Sequence, residues 1–179
     1  MPSGTALTVI ACAAGPASRL DAIVGLAQQR GWNIRVVATP AALAFLDIPA
    51  LEARTADPVR SDHRGPGEPR SRPADAIVVA PATYNTINKW ARGISDTYAL
   101  GLLAEATGSR MPIVVLPFVN AALAARAPFR RSVEELRSEG VRILLGDGGV
   151  EPHPPRTAGN LVDRYPWHLA LDEVERLLT

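Results

Sequence analysis

The chain has 179 residues, 47% of them apolar and only 5% aromatic, and its 19 basic residues face 18 acidic ones. The length fits one domain, and the balanced charge excludes the basic surface expected of a nucleic-acid-binding or membrane-binding protein. No apolar run approaches the roughly 18 residues of a transmembrane helix. The single cysteine, Cys12, excludes an internal disulfide and a multi-cysteine metal site. We therefore expect one cytoplasmic domain over residues 1–179.

Short apolar runs alternate with helical patterns along most of the chain. Runs without polar alternation are typical of strands that are buried on both faces. Five such runs predict strands at residues 6–13, 34–38, 74–80, 112–116 and 141–145.

Helix patterns lie between these runs. Apolar residues at helical spacing predict a helix over residues 20–31, and an amphipathic helix closes the chain. Thr39 and Asp96 each precede a helical pattern and are predicted to be N-caps. Pro40, directly after Thr39, suits a first helical position.

The alternation of strands and helices predicts the α/β class: a three-layer, Rossmann-like (flavodoxin-like) parallel sheet with helices on both faces. In such sheets ligands bind beyond the carboxyl ends of the strands. Four segments that follow strands should therefore line one crevice: residues 14–18, 39–42, 81–89 and 117–120. The chain has neither GxGxxG nor GxxxxGK[ST], which argues against a standard dinucleotide or nucleoside-triphosphate site.

Two segments depart from the alternation. Residues 53–73 are rich in Arg, Pro, Gly and Asp and predict a long exposed loop. Loops of this length are usually functional or disordered, and a plain solvated excursion is the other interpretation. Residues 146–179 form a divergent C-terminal segment, whose GDGG run at residues 146–149 predicts a plain turn.

The segment PATYNTINK, residues 81–89, carries the strongest local signal. Polar side chains follow a buried strand and enter a helix N-terminus, where backbone N–H groups and the helix dipole favour an anion. The spacing leaves two interpretations open: an anion or polar-ligand site, and ordinary capping by Thr83 or Asn85.

The longer stretch PATYNTINKWARGISD resembles the PASANTINK-type motif of the homo-oligomeric flavin-containing cysteine decarboxylases. That family includes phosphopantothenoylcysteine decarboxylases and enzymes that decarboxylate C-terminal peptide cysteines. TVIACAAGPAS is similar to the family's first phosphate-side loop, and VVATPAALAFL to its VTPAAxxF segment. Residues 116–144 are similar to its PAMNxxMW segment and the helix and strand after it.

The resemblance implies FMN as the cofactor, usually bound across a trimer interface, and therefore a homotrimer or a dodecamer of trimers. It also implies which residues contact the cofactor. These are Ala13, Gly15, Ser18 and Thr39 on the phosphate side, and Pro81, Ala82, Thr83 and Asn85 along the flavin.

For the reaction, the resemblance implies that Asn120 holds the substrate carboxylate. In the family that it resembles, the flavin oxidises the thiol side of a cysteinyl group to a thioaldehyde, and carbon dioxide leaves from the adjacent carbon. The family's catalytic histidine would fall at Gly67 here. His63, in the same loop, is the candidate catalytic base in its place, and a solvated loop histidine is the other interpretation. After Gly146 no flap cysteine like the family's is visible.

Three functional hypotheses follow. The first is an FMN-dependent enzyme that oxidatively decarboxylates a small-molecule or peptide cysteinyl substrate. The second is another FMN-dependent oxidoreductase or a flavin prenyltransferase-like enzyme, because a fold does not decide chemistry. The third is a non-catalytic flavin-binding oligomer. Flavin binding needs backbone amides and a shaped slot, which the sequence retains, whereas decarboxylation needs a base and a thiol pocket.

Overall fold

A computed structural model describes residues 4–67 and 73–179. They form a five-stranded sheet of order β2-β1-β3-β4-β5, with every neighbouring pair parallel. The strands are β1 (Ala6–Ala11), β2 (Asn33–Ala38), β3 (Ala76–Ala82), β4 (Ile113–Pro117) and β5 (Arg142–Ile143). The predicted α/β class and parallel sheet are confirmed.

Seven α-helices connect and cover these strands in the described part of the chain. They are α1 (Leu20–Gln29), α2 (Ile48–Thr55), α3 (Tyr84–Ala91), α4 (Tyr98–Gly108), α5 (Ala121–Ala124), α6 (Ala127–Ser138) and α7 (Trp167–Leu178). Short 3-10 helices lie at Gly15–Arg19, Pro40–Phe45 and Ala158–Arg164. None of the helices formed by these residues has the length and apolar character needed to cross a bilayer.

Helices cover both faces of the sheet, so the molecule has the three layers that the alternation predicts. Alternate strand residues enter opposite cores: Val9 and Val78 pack with α1, α2 and α7, whereas Ile10 and Val79 pack with α3, α4 and α6. The chain runs from β1 outward to β2 and then returns to β3 on the other side of β1. This reversal is the switch point at which α/β sheets open a crevice for ligands.

The third strand is longer at its carboxyl end than predicted. Pro81 was expected to begin a loop, but β3 continues through Pro81 and Ala82. A proline is tolerated inside a sheet at a bulge, where its missing N–H costs no ladder bond. The pairing of β3 with β4 is irregular between Val79 and Ala82, which accommodates the proline.

Both predicted N-caps need correction. Thr39 precedes a 3-10 helix rather than an α-helix, and its hydroxyl makes no capping hydrogen bond. Asp96 does not cap α4; instead the Thr97 side chain accepts from the Leu100 amide at 3.2 Å. The Asp96 carboxylate forms an ion pair with Lys89 at the end of α3.

The predicted exposed loop at 53–73 is also partly wrong. Its first three residues belong to α2, and Arg60 pairs alongside β2 through Ala38 N to Arg60 O (2.8 Å) and Arg60 N to Val36 O (3.2 Å). Ser61 is buried. The polar composition did not predict the end of α2 or the pairing of Arg60 with β2, because both depend on backbone hydrogen bonds, which polar residues also make. Residues 68–72 of the predicted loop lie outside the described residues.

Candidate functional site

The carboxyl ends of strands β1, β2, β3 and β4 lie at the same edge of the sheet. The turn after β1, the start of the segment after β2, the end of β3 and the segment after β4 therefore lie side by side, as predicted. Three backbone hydrogen bonds tie them together: Cys12 N to Pro81 O (3.1 Å), Thr39 N to Ala11 O (2.9 Å) and Phe118 N to Ala82 O (2.8 Å).

The turn after β1 supplies the predicted phosphate-side residues. Ala13 and Gly15 are half-buried there, and the Ser18 hydroxyl donates to the Gly15 carbonyl at 2.9 Å. The first N–H groups of a helical turn have no acceptor within it. Here Pro16 has no N–H, and the Ala14 and Ala17 amides donate to the carbonyls of Cys12 (2.8 Å) and Ala14 (2.9 Å), so the amides of Ala13 and Gly15 are the donors that a ligand could use.

Thr39 stands beside this turn. Its amide donates to β1, and its side chain is half-buried at the sheet edge. The Thr39 hydroxyl makes no capping hydrogen bond. The side chain therefore does not serve as an N-cap, and it lies next to the predicted phosphate side.

The start of α3 combines both interpretations of the PATYNTINK segment. Thr83 is an N-cap, because its hydroxyl oxygen accepts from the Thr86 amide at 3.3 Å, and it also lies 3.1 Å from the Thr86 hydroxyl. Asn85 is exposed in the first turn of α3. Pro81 and Ala82 are buried strand residues, so they contribute their carbonyl groups to the sheet rather than exposed side chains to the edge.

Cys12 lies beneath the start of α3 and is buried. Burial raises the pKa of the Cys12 thiol, and hydrogen bonds with Thr86 and Thr83 lower it by less. The thiol is therefore a neutral part of the floor of the site, as expected for a structural buried cysteine.

Asn120 lies at the same edge after β4, and it is the N-cap of α5. Its Oδ1 accepts from the Leu123 amide at 2.9 Å. The capping bond uses the oxygen and fixes the side chain, whose NH2 group remains the part able to donate to a ligand.

A residue that sequence analysis missed stands beside Asn120. His153 pairs with Asn120 in a short parallel bridge, through Ala121 N to His153 O (2.8 Å) and His153 N to Val119 O (3.2 Å). The proline-rich sequence around His153 has no strand or helix pattern, so only the fold reveals this contact.

His63, the predicted catalytic base, is not brought to this edge. It is exposed, its ring packs edge-to-face on Tyr98 with centroids 5.2 Å apart, and it lies over Gly101 of α4. The cause is the pairing of Arg60 beside β2, after which the chain passes along α4. His63 is thus a surface residue of the single chain, and its role as a base stays a prediction.

The C-terminal segment folds back over the end of β4, which was not predicted. Phe118 packs between His153 (ring centroids 4.8 Å apart) and Tyr165 (5.8 Å), and the Tyr165 hydroxyl donates to the Leu116 carbonyl. These residues and their neighbours enclose a largely apolar cavity of about 200 Å³. The GDGG run is a turn, as predicted, with Gly149 N bonded to Gly146 O at 2.8 Å.

The donor set at this edge fits FMN. The Ala13 and Gly15 amides of the β1 turn, the Thr39 hydroxyl and the α3 N-terminus suit a phosphate and a hydroxylated chain. Ala13 is small, whereas the space beside Gly15 is filled by Val162. FMN is the flavin that this edge fits, because the turn lacks the glycine fingerprint of dinucleotide sites.

The sequence model of the family described as Flavoprotein matches residues 3–162. The chain belongs to the Flavoprotein family. Its similarity covers all four segments at the carboxyl edge as well as the residues around His153. The predicted family is thereby confirmed.

Curated relatives of this flavoprotein include the coenzyme A biosynthesis bifunctional protein CoaBC of Escherichia coli K12, 28% identical over 143 residues, which are 76% of this chain and 34% of the relative. CoaBC of Bacillus subtilis is 29% identical over 119 residues, 63% of this chain and 29% of the relative. The flavoprotein thus spans about a third of the length of these relatives.

Solved structures share the whole fold. A PPC decarboxylase mutant superposes with a TM-score of 0.76 at 19% identity, covering 97% of this chain and 98% of that one. TvaF, an FMN-dependent cysteine decarboxylase from thioviridamide biosynthesis, gives 0.73 at 24% identity and covers 96% and 98%. HAL3 from Cryptococcus neoformans gives 0.69 at 21% identity and covers 96% and 99%. The predicted fold is confirmed, and the comparisons support FMN as the cofactor.

Proposed function

We propose that this flavoprotein binds FMN at the carboxyl edge of its sheet and oxidatively decarboxylates a cysteinyl substrate, either a small molecule or a peptide. The observation that carries the proposal is the position of Asn120, which lies on the same edge as the β1 turn and the α3 N-terminus. The FMN-dependent cysteine decarboxylases TvaF and SpaF share the fold.

In the proposed complex the β1 turn and Thr39 hold the phosphate, and the Ser18 hydroxyl joins them by giving up its bond to the Gly15 carbonyl. Thr83 and Asn85 lie along the flavin, and the sheet edge around Pro81 and Ala82 shapes the slot. Bound FMN would supply a two-electron oxidant for the carbon that carries the thiol. The protein contributes by fixing the substrate against that oxidant and by excluding water from the apolar part of the edge.

Asn120 is the proposed anchor of the substrate. An amide NH2 group donates well to a carboxylate, and the capping bond to Leu123 holds the side chain in one orientation. A cysteinyl group held by its carboxylate then presents its thiol and the adjacent carbon to the rest of the edge.

The alternatives each have one supporting observation. A dihydromethanopterin reductase (acceptor) of Methanosarcina mazei is 42% identical over 43 residues, 24% of this chain and 18% of the relative, which supports another FMN-dependent oxidoreductase. AtHal3, described as an FMN binding protein, has the same fold with a TM-score of 0.69, which supports a flavin binder without decarboxylase activity.

A homotrimer, or a dodecamer built from trimers, is part of the proposal. Among the described residues Phe45 and Ile94 are large apolar side chains with 42% and 44% of their surface exposed. Phe45 ends the 3-10 helix Pro40–Phe45 after β2, and Ile94 follows the end of α3. A second subunit at either position would cover an exposed apolar side chain.

The test is to purify the protein, record its visible spectrum and identify by mass spectrometry what heat releases. The flavoprotein is then incubated with phosphopantothenoylcysteine and with a peptide that ends in cysteine, and carbon dioxide is measured. A colourless protein that FMN does not restore contradicts the cofactor. FMN turnover with another substrate but without carbon dioxide favours the second hypothesis, and bound FMN without turnover favours the third.

A further inference from the structure

His153 is held in a defined position in the C-terminal segment. Two backbone hydrogen bonds fix it beside Asn120, and Phe118 packs against its ring. Side chains of paired residues in a parallel ladder emerge on the same side, and the two chains are about 4.8 Å apart. The His153 and Asn120 side chains therefore start from neighbouring points: that of Asn120 turns to the Leu123 amide, and that of His153 lines the cavity beside Phe118 and Val119.

One ring nitrogen of His153 has an assigned role. Nδ1 lies 3.0 Å from the Pro154 carbonyl oxygen, which has no proton to give, so Nδ1 is the donor. In the neutral imidazole Nε2 then carries the lone pair and is able to accept a proton. A fixed tautomer of this kind is what a general base requires.

The surroundings of His153 suit a thiol. His153 lines the cavity of about 200 Å³, most of whose wall is apolar. Three other ionisable side chains line the same cavity: Glu151, Arg164 and Tyr165. Glu151 and Arg164 are exposed to solvent, whereas burial keeps the pKa of Tyr165 well above its ordinary value, so its hydroxyl stays neutral.

Resting on the proposed function, we infer that His153 is the base that removes the thiol proton of a cysteinyl substrate whose carboxylate is bound by Asn120. The S–H bond breaks, the proton goes to Nε2 of His153, and the electron pair stays on sulfur. This acid–base step needs no oxidant or reductant. Two carbon atoms separate the carboxylate of cysteine from its thiol. A cysteinyl group is therefore long enough to contact Asn120 with its carboxylate and the paired residue His153 with its thiol.

The test compares the three histidines of the chain, each changed to glutamine in the FMN-loaded protein. His153→Gln is the test variant, and His63→Gln and His168→Gln are matched controls, because His63 is an exposed loop residue that packs against Tyr98 and His168 is exposed on α7. The rate of flavin reduction by a peptide ending in cysteine is measured without oxygen at pH 7. We expect His153→Gln to lower it about 10²-fold or more, as loss of a general base does. The controls should change it less than about 10²-fold.

Two further measurements separate a base from a structural residue. The dissociation constant of the peptide should be unchanged in His153→Gln, and its rate should recover above about pH 8.5, where a cysteine thiol ionises in water without help. His153→Asn, whose amide keeps a donor for the Pro154 carbonyl, should show the same deficit and the same recovery.

The outcomes distinguish the two proposals. A wild-type protein that the peptide reduces, together with a normal rate in His153→Gln, overturns the role of His153 and leaves the proposed function standing. A deficit that persists at high pH also overturns the role. A wild-type protein that binds FMN and is reduced by no cysteinyl compound overturns the proposed function and, with it, this inference.

Discussion

Gly15 and Val162 approach each other so closely that a Cβ built on Gly15 would lie 2.8 Å from Cγ2 of Val162. The first belongs to the turn after β1 and the second to the 3-10 helix at Ala158–Arg164. An ion pair between Arg19 and Asp163 at 2.9 Å joins the same two elements. The C-terminal segment thus packs directly on the proposed phosphate side of the FMN site.

This contact predicts that Gly15→Ala destabilises the fold. Adding a methyl group to a packed contact costs about 1–3 kcal/mol, and the neighbour here is a stiff β-branched side chain. Urea unfolding of the flavin-free protein measures the loss. The double variant Gly15→Ala/Val162→Ala should recover part of it, because the second change removes the clashing atom. Strictly additive losses in the double variant would show that the two residues do not meet.

The strands were predictable because their burial on both faces leaves an uninterrupted apolar run. Val9, Val78 and Val114 lie in such runs and form the centre of the sheet. Errors occurred where backbone geometry overrides composition. Pro81 looked like a strand end, but a local irregularity in pairing admits it, and a polar stretch concealed the end of α2.

The edge residues were only partly predictable. Thr39 and Thr83 follow strands directly, so the topology alone places them on one edge. The pairing of Asn120 with His153 joins two segments 33 positions apart, and the packing of Gly15 on Val162 joins two that are 147 apart. Neither pair belongs to a periodic pattern, and for that reason no local rule predicts it.

Alkaline pH should destabilise the protein through Cys12 and Tyr165. Burial raises the pKa of the Cys12 thiol above 9.0. For Tyr165, burial and then the charge of ionised Cys12 raise the pKa well above 10.0. In the unfolded chain both groups ionise at their ordinary values. The contribution of these two groups to the free energy of unfolding is therefore fully present below about pH 9. It falls as the pH rises toward their pKa values in the folded protein, by at most about 1.4 kcal/mol per pH unit and group.

Urea midpoints at pH 7, 9 and 10 measure this dependence. Cys12→Ala should flatten the fall that begins near pH 9, and Tyr165→Phe should flatten the part that begins near pH 10, although each variant also loses stability at every pH. A wild-type midpoint that stays constant from pH 7 to 10 would contradict the buried, neutral state of both groups.

The proposed trimer gives a prediction for the exposed side chains Phe45 and Ile94. The wild-type protein should elute and scatter light as a trimer or a multiple of it. A charge placed at a buried subunit contact is costly, so Ile94→Asp or Phe45→Asp should dissociate the assembly. Gln29→Asp is the control, because Gln29 is exposed on α1, which covers the opposite face of the sheet from α3. Monomeric wild-type protein with FMN bound would contradict the proposal.

Asn120 offers the sharpest test of the substrate site, because its oxygen and its NH2 group have separate roles. Asn120→Asp keeps an oxygen that accepts from the Leu123 amide, and a carboxylate is a good N-cap. The folding stability of this variant should therefore match the wild type within about 0.5 kcal/mol. It loses the proposed donor and adds a negative charge where the substrate carboxylate would lie, so peptide binding should weaken strongly while FMN stays bound.

Asn120→Ala removes both the helix cap and the proposed donor to the substrate carboxylate. Loss of the cap costs about 1 kcal/mol of stability, and loss of the donor costs about 1–3 kcal/mol of binding. If Asn120 acts only as a cap, substrate handling should be impaired in Asn120→Ala and normal in Asn120→Asp. If it binds the carboxylate, Asn120→Asp should be the more impaired variant, because repulsion between two carboxylates adds to the lost hydrogen bond. Stability and substrate binding then rank the two variants in opposite orders, and a merely structural asparagine cannot produce that result.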